Sequence, residues 1–114
     1  MPDPIAPVKP QTDTDTEVIE RYQSALAIER PDRVIIHNDD VTTFDFVIAV
    51  LITIFEQSAQ RADDIAMEAH TNGLAFVCSL PTSEARKRVQ TAHDAARSNN
   101  FPLRFTIEPG WLGN

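Results

Sequence analysis

Three consecutive polar residues, Asn38, Asp39 and Asp40, follow directly on an apolar stretch of the chain. Together they offer an amide and two carboxylates, groups that accept hydrogen bonds from a cation or from a donor-rich ammonium group. An apolar segment, residues 44–55, begins a few residues later and could receive a side chain attached to such a cation. The same triplet also suits a plain turn at the start of a helix, because these side chains bond readily to their own backbone.

Other chemistries find weaker support in the sequence. His70 is predicted to lie in the last turn of a helix, where a histidine commonly only complements the helix dipole. One histidine and two adjacent carboxylates match no established ligand spacing, so neither a metal nor another cofactor is predicted. Cys78 lies in an apolar stretch and is interpreted as a buried thiol, and no Ser-His-Asp grouping has supporting local sequence.

Length and charge limit the class of protein. A chain of 114 residues with 42% apolar residues fits one small domain. Seventeen acidic against ten basic residues give a formal net charge of −7, which argues against nucleic acid as a partner. Residues 44–55 are fewer than the roughly 20 that a membrane span needs, so no membrane partner is predicted. The N-terminal sequence has no secretory signal pattern, and a cytoplasmic location is predicted.

Apolar periodicity predicts the elements that would position the polar residues. Alternation predicts strands at 32–37, 74–80 and 103–108. Helical spacing predicts helices at 43–57, from 58 or 59 to a cap at Gly73, and between Pro81 and Asn99. Thr42 and Asp45 have the form of a capping box at the first of these helices. The predicted order of elements is therefore β-α-α-β-α-β.

Several segments resemble the ClpS adaptor family, which recognises N-terminal destabilising residues and hands substrates to a Clp AAA+ unfoldase. The resemblance rests on Val34-Ile35-Ile36-His37-Asn38-Asp39-Asp40-Val41-Thr42, Phe46-Val47, Val50-Leu51, Ala69-His70 with Gly73, and Pro102-Leu103 with Thr106. It implies an α+β fold, in which a three-stranded antiparallel sheet packs against three helices, over an adaptor core of residues 32–108. The sequence on either side is predicted to be a flexible N-terminal extension, residues 1–31, and a C-terminal tail, residues 109–114.

The resemblance also implies a binding site. It implies that the α-amino group of a substrate is bound by Asn38, Asp39 and His70, with Asp40 and Thr42 shaping the turn. It implies that a hydrophobic pocket for the first side chain is lined by Phe44, Val47, Ala66, Ala69 and Leu103. An α-ammonium group has three N–H donors, and a carboxylate, an amide oxygen and a neutral imidazole could accept hydrogen bonds from them. An acetylated or internal residue has no such ammonium group. The pocket residues could alternatively be ordinary core residues.

This chain departs from the family pattern at the pocket. Phe44 stands where the family usually has methionine, Thr43 where it often has proline, and Ala66 where it often has a larger apolar residue. A stiff ring in place of an adaptable thioether should change which side chains enter. We expect leucine and aromatic N-terminal residues to be accepted and β-branched residues to be rejected.

A second departure lies on the third helix. Residues 83–88 read Ser-Glu-Ala-Arg-Lys-Arg where the family's Glu-Val-Ala-Glu-Thr-Lys surface docks on the N-terminal domain of the unfoldase. The resemblance implies docking through Ser83, Glu84 and Arg88. Arg86 and Lys87 reverse the charge of this surface, so the partner could be a different unfoldase.

The sequence is therefore interpreted as a non-enzymatic adaptor. It is predicted to bind free N-terminal bulky hydrophobic residues and to deliver their proteins to a Clp AAA+ unfoldase and protease. The main alternative is a protein interaction domain that resembles the C-terminal domain of the ribosomal stalk protein and does not read N-termini. A metal-dependent enzyme is a more distant alternative.

Overall fold

A computed structural model describes residues 31–110 of the chain. Most of the predicted extension and tail, residues 1–30 and 111–114, lies outside the described residues. The elements are strand β1 (Asp32–His37), helices α1 (Phe44–Thr53) and α2 (Ala59–Asn72), strand β2 (Leu74–Leu80), helix α3 (Thr82–Ser98) and strand β3 (Arg104–Glu108). The predicted order and the α+β class are confirmed. No helix in this part of the chain is long and apolar enough to cross a membrane.

The first strand of the chain is the central strand of the sheet. The strand order is β2-β1-β3, and both pairings are antiparallel. At one end of β1, His37 is paired with Leu74 on one side and with Arg104 on the other. At the opposite end, Asp32 is paired with Leu80, directly before the turn into α3. The two ends of β1 therefore lead to different regions of the protein.

Alternation along the strands gives the sheet an inner and an outer face. Inner side chains pack with those of the three helices in one apolar cluster. Its most deeply buried large members are Ile36, Leu51, Ile65, Val34 and Val77. On the outer face, the Arg33 guanidinium lies 4.5 Å from the centre of the Phe76 ring and 3.3 Å from a carboxylate oxygen of Glu108.

A histidine connects the last helix to the last strand. The Nε2 atom of His93 accepts a hydrogen bond from the backbone N–H of Phe105 at 3.0 Å. Burial and the nearby Arg97 lower the pKa of His93 below its ordinary value. The folded protein therefore favours the neutral imidazole, which has the lone pair that this hydrogen bond requires.

The helix ends differ in how well the sequence predicted them. Ser58 caps α2 by accepting a hydrogen bond from the N–H of Arg61 at 3.1 Å, and Gly73 ends the helix with φ = 93°, as predicted. The predicted capping box of α1 is wrong, because Thr43 and not Thr42 is the N-cap residue. The Thr43 hydroxyl oxygen accepts from the N–H of Phe46 at 3.2 Å.

Helix α1 ends at Thr53, several residues before the predicted end at Gln57. The backbone of Glu56 is left-handed, with φ = 56°, and cannot continue an α-helix. Arg88 of α3 donates a hydrogen bond to the carbonyl oxygen of Ile54 at 3.0 Å. A contact from a distant part of the chain therefore satisfies a carbonyl group that a longer helix would have used.

Candidate functional site

A cavity of about 300 Å³ lies where the end of β1, the start of α1 and the end of α2 meet. Its lining consists of Ile36, His37, Asn38, Asp39, Asp40, Thr42, Phe44, Val47, Ala66, Ala69, His70 and Leu103. All residues predicted for the ammonium site and for the hydrophobic pocket are among them. The structure therefore brings the two predicted sets together around one space, and it adds Ile36 and His37.

The turn after β1 is organised by the carboxylate of Asp39. One oxygen, Oδ1, accepts from the backbone N–H groups of Val41 at 2.8 Å and of Thr42 at 2.6 Å. The other, Oδ2, accepts from the Thr42 hydroxyl at 2.8 Å. A carboxylate has about four lone-pair positions, so one remains for a ligand. Asp39 can therefore both hold the turn and accept a hydrogen bond from a bound group.

These hydrogen bonds also determine the charge of Asp39. Burial alone would raise the pKa of the carboxyl, but the hydrogen bonds from Thr42 and Val41 outweigh it and the pKa lies below its ordinary value. Asp39 is consequently an anion at neutral pH. Its negative charge faces a cavity in which an ammonium group would be the complementary ligand.

A backbone hydrogen bond connects this turn to the end of α2. The N–H of Asn38 donates to the carbonyl oxygen of Gly73 at 3.0 Å, and the N–H of Gly73 donates to the carbonyl oxygen of Ala69 at 2.8 Å. His70 lies in the last turn of this helix. Residues that are 31 or more positions apart in the sequence are thus held at the same cavity by main-chain bonds, independently of any ligand.

The remaining polar groups of the cavity are open to a ligand. Asn38, Asp40 and His70 are exposed. Within residues 31–110, none of these three side chains forms a hydrogen bond with another residue. They can supply a neutral amide oxygen, a carboxylate and an imidazole nitrogen. The cavity therefore offers several acceptors on one side.

The other side of the cavity is apolar. Ala66, Ala69 and Leu103 are almost fully buried, Val47 is half-buried, and Phe44 is 39% exposed at the rim. Ala69 and Leu103 also belong to the core cluster, so the alternative interpretation as core residues holds for part of the wall. Ala66 is buried outside that cluster. Small side chains at 66 and 69 leave space next to a rim that carries an aromatic ring.

His37 is a lining residue that was not predicted. Its Nε2 atom lies 2.7 Å from the hydroxyl oxygen of Thr106 on β3. Burial, followed by the positive charge of Arg104, lowers the pKa of His37. The signal available in the sequence was its position directly before the polar triplet. Because side chains alternate along a strand and Ile36 faces inward, the pattern indicated only that His37 lies on the outer face of the sheet.

The predicted docking residues on α3 are partly engaged within the chain. Ser83 is exposed. Glu84 accepts from Arg88 at 2.8 Å, and Arg88 also contacts the carbonyl oxygen of Ile54 and, at 3.4 Å, the carboxylate of Glu56. Only 21% of the Arg88 side chain is exposed. Docking through these residues stays a prediction, and Arg88 has a structural role in addition.

The described residues contain no cluster of three or more histidine, cysteine, aspartate or glutamate side chains that could hold a metal ion. Cys78 is a free thiol that is half-buried, and burial raises its pKa. The polar and apolar residues that line the cavity suit recognition of a ligand by hydrogen bonds, charge and shape.

Comparison with known proteins identifies the family. A family model described as the ATP-dependent Clp protease adaptor protein ClpS matches residues 28–106. The ClpS adapter of Oleidesulfovibrio alaskensis is 41% identical over 101 residues, which cover 88% of this chain and 94% of that protein. The ClpS adapter of Campylobacter jejuni is 40% identical over 87 residues, which cover 75% and 90%.

A solved structure gives the same result. The chain is similar to Agrobacterium tumefaciens ClpS2 bound to L-phenylalaninamide, with a TM-score of 0.67 and 34% identity. The match covers 70% of this chain and 96% of that one. The family model, the similar sequences and the similar solved structure agree, and the chain belongs to the ClpS family of Clp protease adaptors.

Proposed function

We propose that this adaptor captures proteins by a free N-terminus that carries a bulky hydrophobic first residue, and delivers them to a Clp AAA+ unfoldase without catalysing a reaction. The observation that carries the proposal is the division of one cavity into a side rich in acceptors and an apolar side. A ligand that fills such a cavity has a cationic group and an apolar side chain close together. An N-terminal residue presents both on a single Cα atom.

The acceptor side suits an α-ammonium group. Its three N–H donors need three acceptors, and Asp39, Asn38 and His70 offer a carboxylate, an amide oxygen and an imidazole nitrogen. Thr42 contributes indirectly because its hydroxyl donates to Asp39. Asp40 adds a second negative charge at the same turn. An acetylated N-terminus or an internal peptide bond has no positive charge and at most one N–H donor in place of three, so this site would discriminate against both.

The apolar side suits the first side chain. Burying a leucine or phenylalanine side chain contributes roughly 1.5–3 kcal/mol, and each hydrogen bond to a charged group contributes about 1.5–3 kcal/mol. After the losses of translational and conformational freedom, these terms correspond to binding of roughly micromolar affinity. Such affinity suits an adaptor, because the captured protein must later be released to the unfoldase.

The ligand of a relative supports the choice of side chain. L-Phenylalaninamide, which is bound to Agrobacterium tumefaciens ClpS2, has a free α-amino group and an aromatic side chain. In this chain, the small Ala66 and Ala69 leave room for such a ring beneath Phe44. We therefore place leucine and the aromatic residues among the accepted N-terminal residues, and β-branched residues among those rejected at the rim.

The remaining assignments follow from the same proposal. Residues 32–108 form the adaptor core, and the segments before and after it are the extension and the tail. The extension would engage the unfoldase pore, and a surface on α3 would dock on its N-terminal domain. The free thiol of Cys78 fits the reducing environment of the cytoplasm, where we place the protein.

Fluorescence anisotropy with labelled peptides tests the proposal. Peptides identical except for the first residue would begin with Leu, Phe, Ile, Met or acetyl-Leu. We expect the free Leu and Phe peptides to bind with roughly micromolar Kd and the acetyl-Leu peptide to bind at least about tenfold more weakly. Equal binding of free and acetylated Leu peptides would contradict recognition of the N-terminus, and would favour an interaction domain that does not read N-termini.

A further inference from the structure

One wall of the cavity lies in the connection between α3 and β3. Residues 99–103 join the last helix to the last strand, and Leu103 comes directly before the first residue of that strand. The side chain of Leu103 lines the cavity and is 5% exposed. A residue in a connecting segment is held by neither a helix nor a sheet ladder. The place of this wall therefore depends on what fixes the connection at its two ends.

The start of the connection is fixed to α3 by the backbone. The N–H of Asn100 donates to the carbonyl oxygen of Arg97 at 3.0 Å. The N–H of Phe101 donates to the carbonyl oxygen of Ala96 at 2.9 Å. Because Asn100 has φ = 62°, this is the left-handed turn that commonly ends a helix. The ring of Phe101 then packs on that of Phe46 in α1, with ring centres 4.9 Å apart. The direction in which the chain leaves α3 is thus determined.

The far end of the connection is fixed by His93. Strand β3 lies at one edge of the described sheet, and the N–H of Phe105 donates to the Nε2 atom of His93 on α3. Phe105 is buried, follows Leu103 by two residues and packs on Phe55 with ring centres 4.9 Å apart. In the part of the chain that the structure describes, no other side-chain hydrogen bond joins α3 to β3. This bond is therefore the polar contact that sets the start of β3 against the helix.

We propose that His93 is a positioning residue for cargo binding: by accepting a hydrogen bond from the N–H of Phe105, it holds Leu103 at the cavity, against the first side chain of the bound protein. This inference rests on the proposed function, and it adds a residue that lies outside the cavity lining. Without the acceptor, a partly buried N–H group would lose its partner, and the start of β3 would shift to reach water or another acceptor. Leu103 would shift with it.

Two substitutions separate the acceptor from the bulk of the side chain. His93→Leu keeps a side chain of comparable size and removes the acceptor. His93→Gln keeps an acceptor, because Oε1 of glutamine lies as many bonds from Cβ as Nε2 of histidine does. In fluorescence anisotropy with the free Leu peptide, we expect His93→Leu to raise the Kd at least about fivefold. We expect His93→Gln to stay within about twofold of the wild type, because the hydrogen bond is restored.

A double-variant cycle tests whether the effect passes through the wall. Leu103→Ala removes the side chain that His93 is proposed to position. Adding His93→Leu to Leu103→Ala should therefore change the Kd of the Leu peptide less than about twofold, although the same change weakens binding in the wild type. A purely structural role of His93 would lower the urea midpoint and leave the Kd of the folded protein unchanged.

Arg88→Met is the matched control. Arg88 also bonds from α3 to a backbone group, the carbonyl oxygen of Ile54, but it lies outside the cavity lining. Its replacement should leave the Kd of the Leu peptide within about twofold of the wild type. Urea unfolding of each variant shows whether it is folded. If His93→Leu does not fold, His93→Ala repeats the test without the acceptor, since alanine suits a helix.

The outcomes separate this inference from the proposed function. An unchanged Kd in His93→Leu, an equal loss in His93→Gln, or an undiminished effect of His93→Leu on the Leu103→Ala background would each overturn the inference. An equal loss in Arg88→Met would also overturn it, because any bond from α3 to the backbone would then have the same effect. A wild type that binds free and acetylated Leu peptides equally would instead reject the proposed function.

Discussion

The charge of Asp39 can be separated from its role in the turn by a single isosteric change. In Asp39→Asn, the amide oxygen can still accept from the N–H groups of Val41 and Thr42, which donate to Oδ1 in the wild type. The negative charge and the acceptor for the Thr42 hydroxyl are lost. The hydroxyl can rotate and bond to water, because this site is half exposed. The turn should therefore persist while its charge disappears.

The expected effects differ in size. Losing one hydrogen bond between a carboxylate and an ammonium group removes about 1.5–3 kcal/mol of binding, which corresponds to a roughly 10- to 150-fold higher Kd for a free Leu peptide. Losing the Thr42 hydroxyl contact should lower the free energy of unfolding by only about 0.5–1.5 kcal/mol. Asp39→Ala removes every acceptor of this side chain and should lower the free energy of unfolding further.

The assay compares Leu and acetyl-Leu peptides by fluorescence anisotropy, with urea unfolding of each variant. Asp45→Asn is the matched control, because it removes an exposed charge from the first turn of α1, next to the cavity but outside its lining. Asp39→Asn should weaken the binding of the Leu peptide and leave the binding of the acetyl-Leu peptide unchanged. Asp45→Asn should change the Kd of the Leu peptide less than about twofold. If Asp39→Asn binds the Leu peptide as tightly as the wild type, Asp39 is a turn residue only and the reasoning fails.

Three further outcomes are expected. Ala66→Leu fills part of the cavity, so anisotropy should show a larger loss of affinity for the Phe peptide than for the Leu peptide; equal losses would place residue 66 outside the ligand space. The folded state holds His93 neutral, so the unfolded chain takes up its proton at a higher pH, near 6.5, and stability should fall as pH drops below that value. Urea unfolding at pH 7.5 and 5.5 should show a smaller fall in His93→Gln, and identical falls would refute the assignment. Arg88→Met loses the bond to the Ile54 carbonyl and should unfold about 1–2 kcal/mol more easily with unchanged peptide binding; a change in peptide Kd would contradict a purely structural role.

The strands were predictable from the sequence because each has a clear period and clear limits. The bounds of β1 and β2 agree with the alternation of their residues and with the turns on either side. The end of α1 was not predictable, since its apolar pattern runs on to Phe55. The left-handed backbone of Glu56 and a hydrogen bond from Arg88 accompany the end of the helix. No sequence pattern near residue 54 predicts either of them.

The site could be predicted where a side chain has one possible hydrogen-bonding or packing role in the local sequence. It was harder to predict where a side chain has two such roles. Thr42 and Thr43 are chemically equal candidates for the helix cap. The structure assigns Thr43 to the cap because the hydroxyl of Thr42 is bound to Asp39. His37 and Ile36 were missed because their place in a strand gave a complete explanation for both. Their position at the cavity depends on how α1 and α2 pack, which no local pattern encodes.

The position of β1 at the centre of the sheet has a consequence for biosynthesis. The strand is made first, but its partners β2 and β3 come later, and the pairing of Arg33 with Glu108 joins residues 75 positions apart. Leu103, which lines the cavity, lies just before β3. A ribosome that has released only α1 and α2 has therefore exposed the acidic turn without a complete cavity. The cavity can therefore be completed only after residue 103 and β3 have been made, late in the synthesis of the chain.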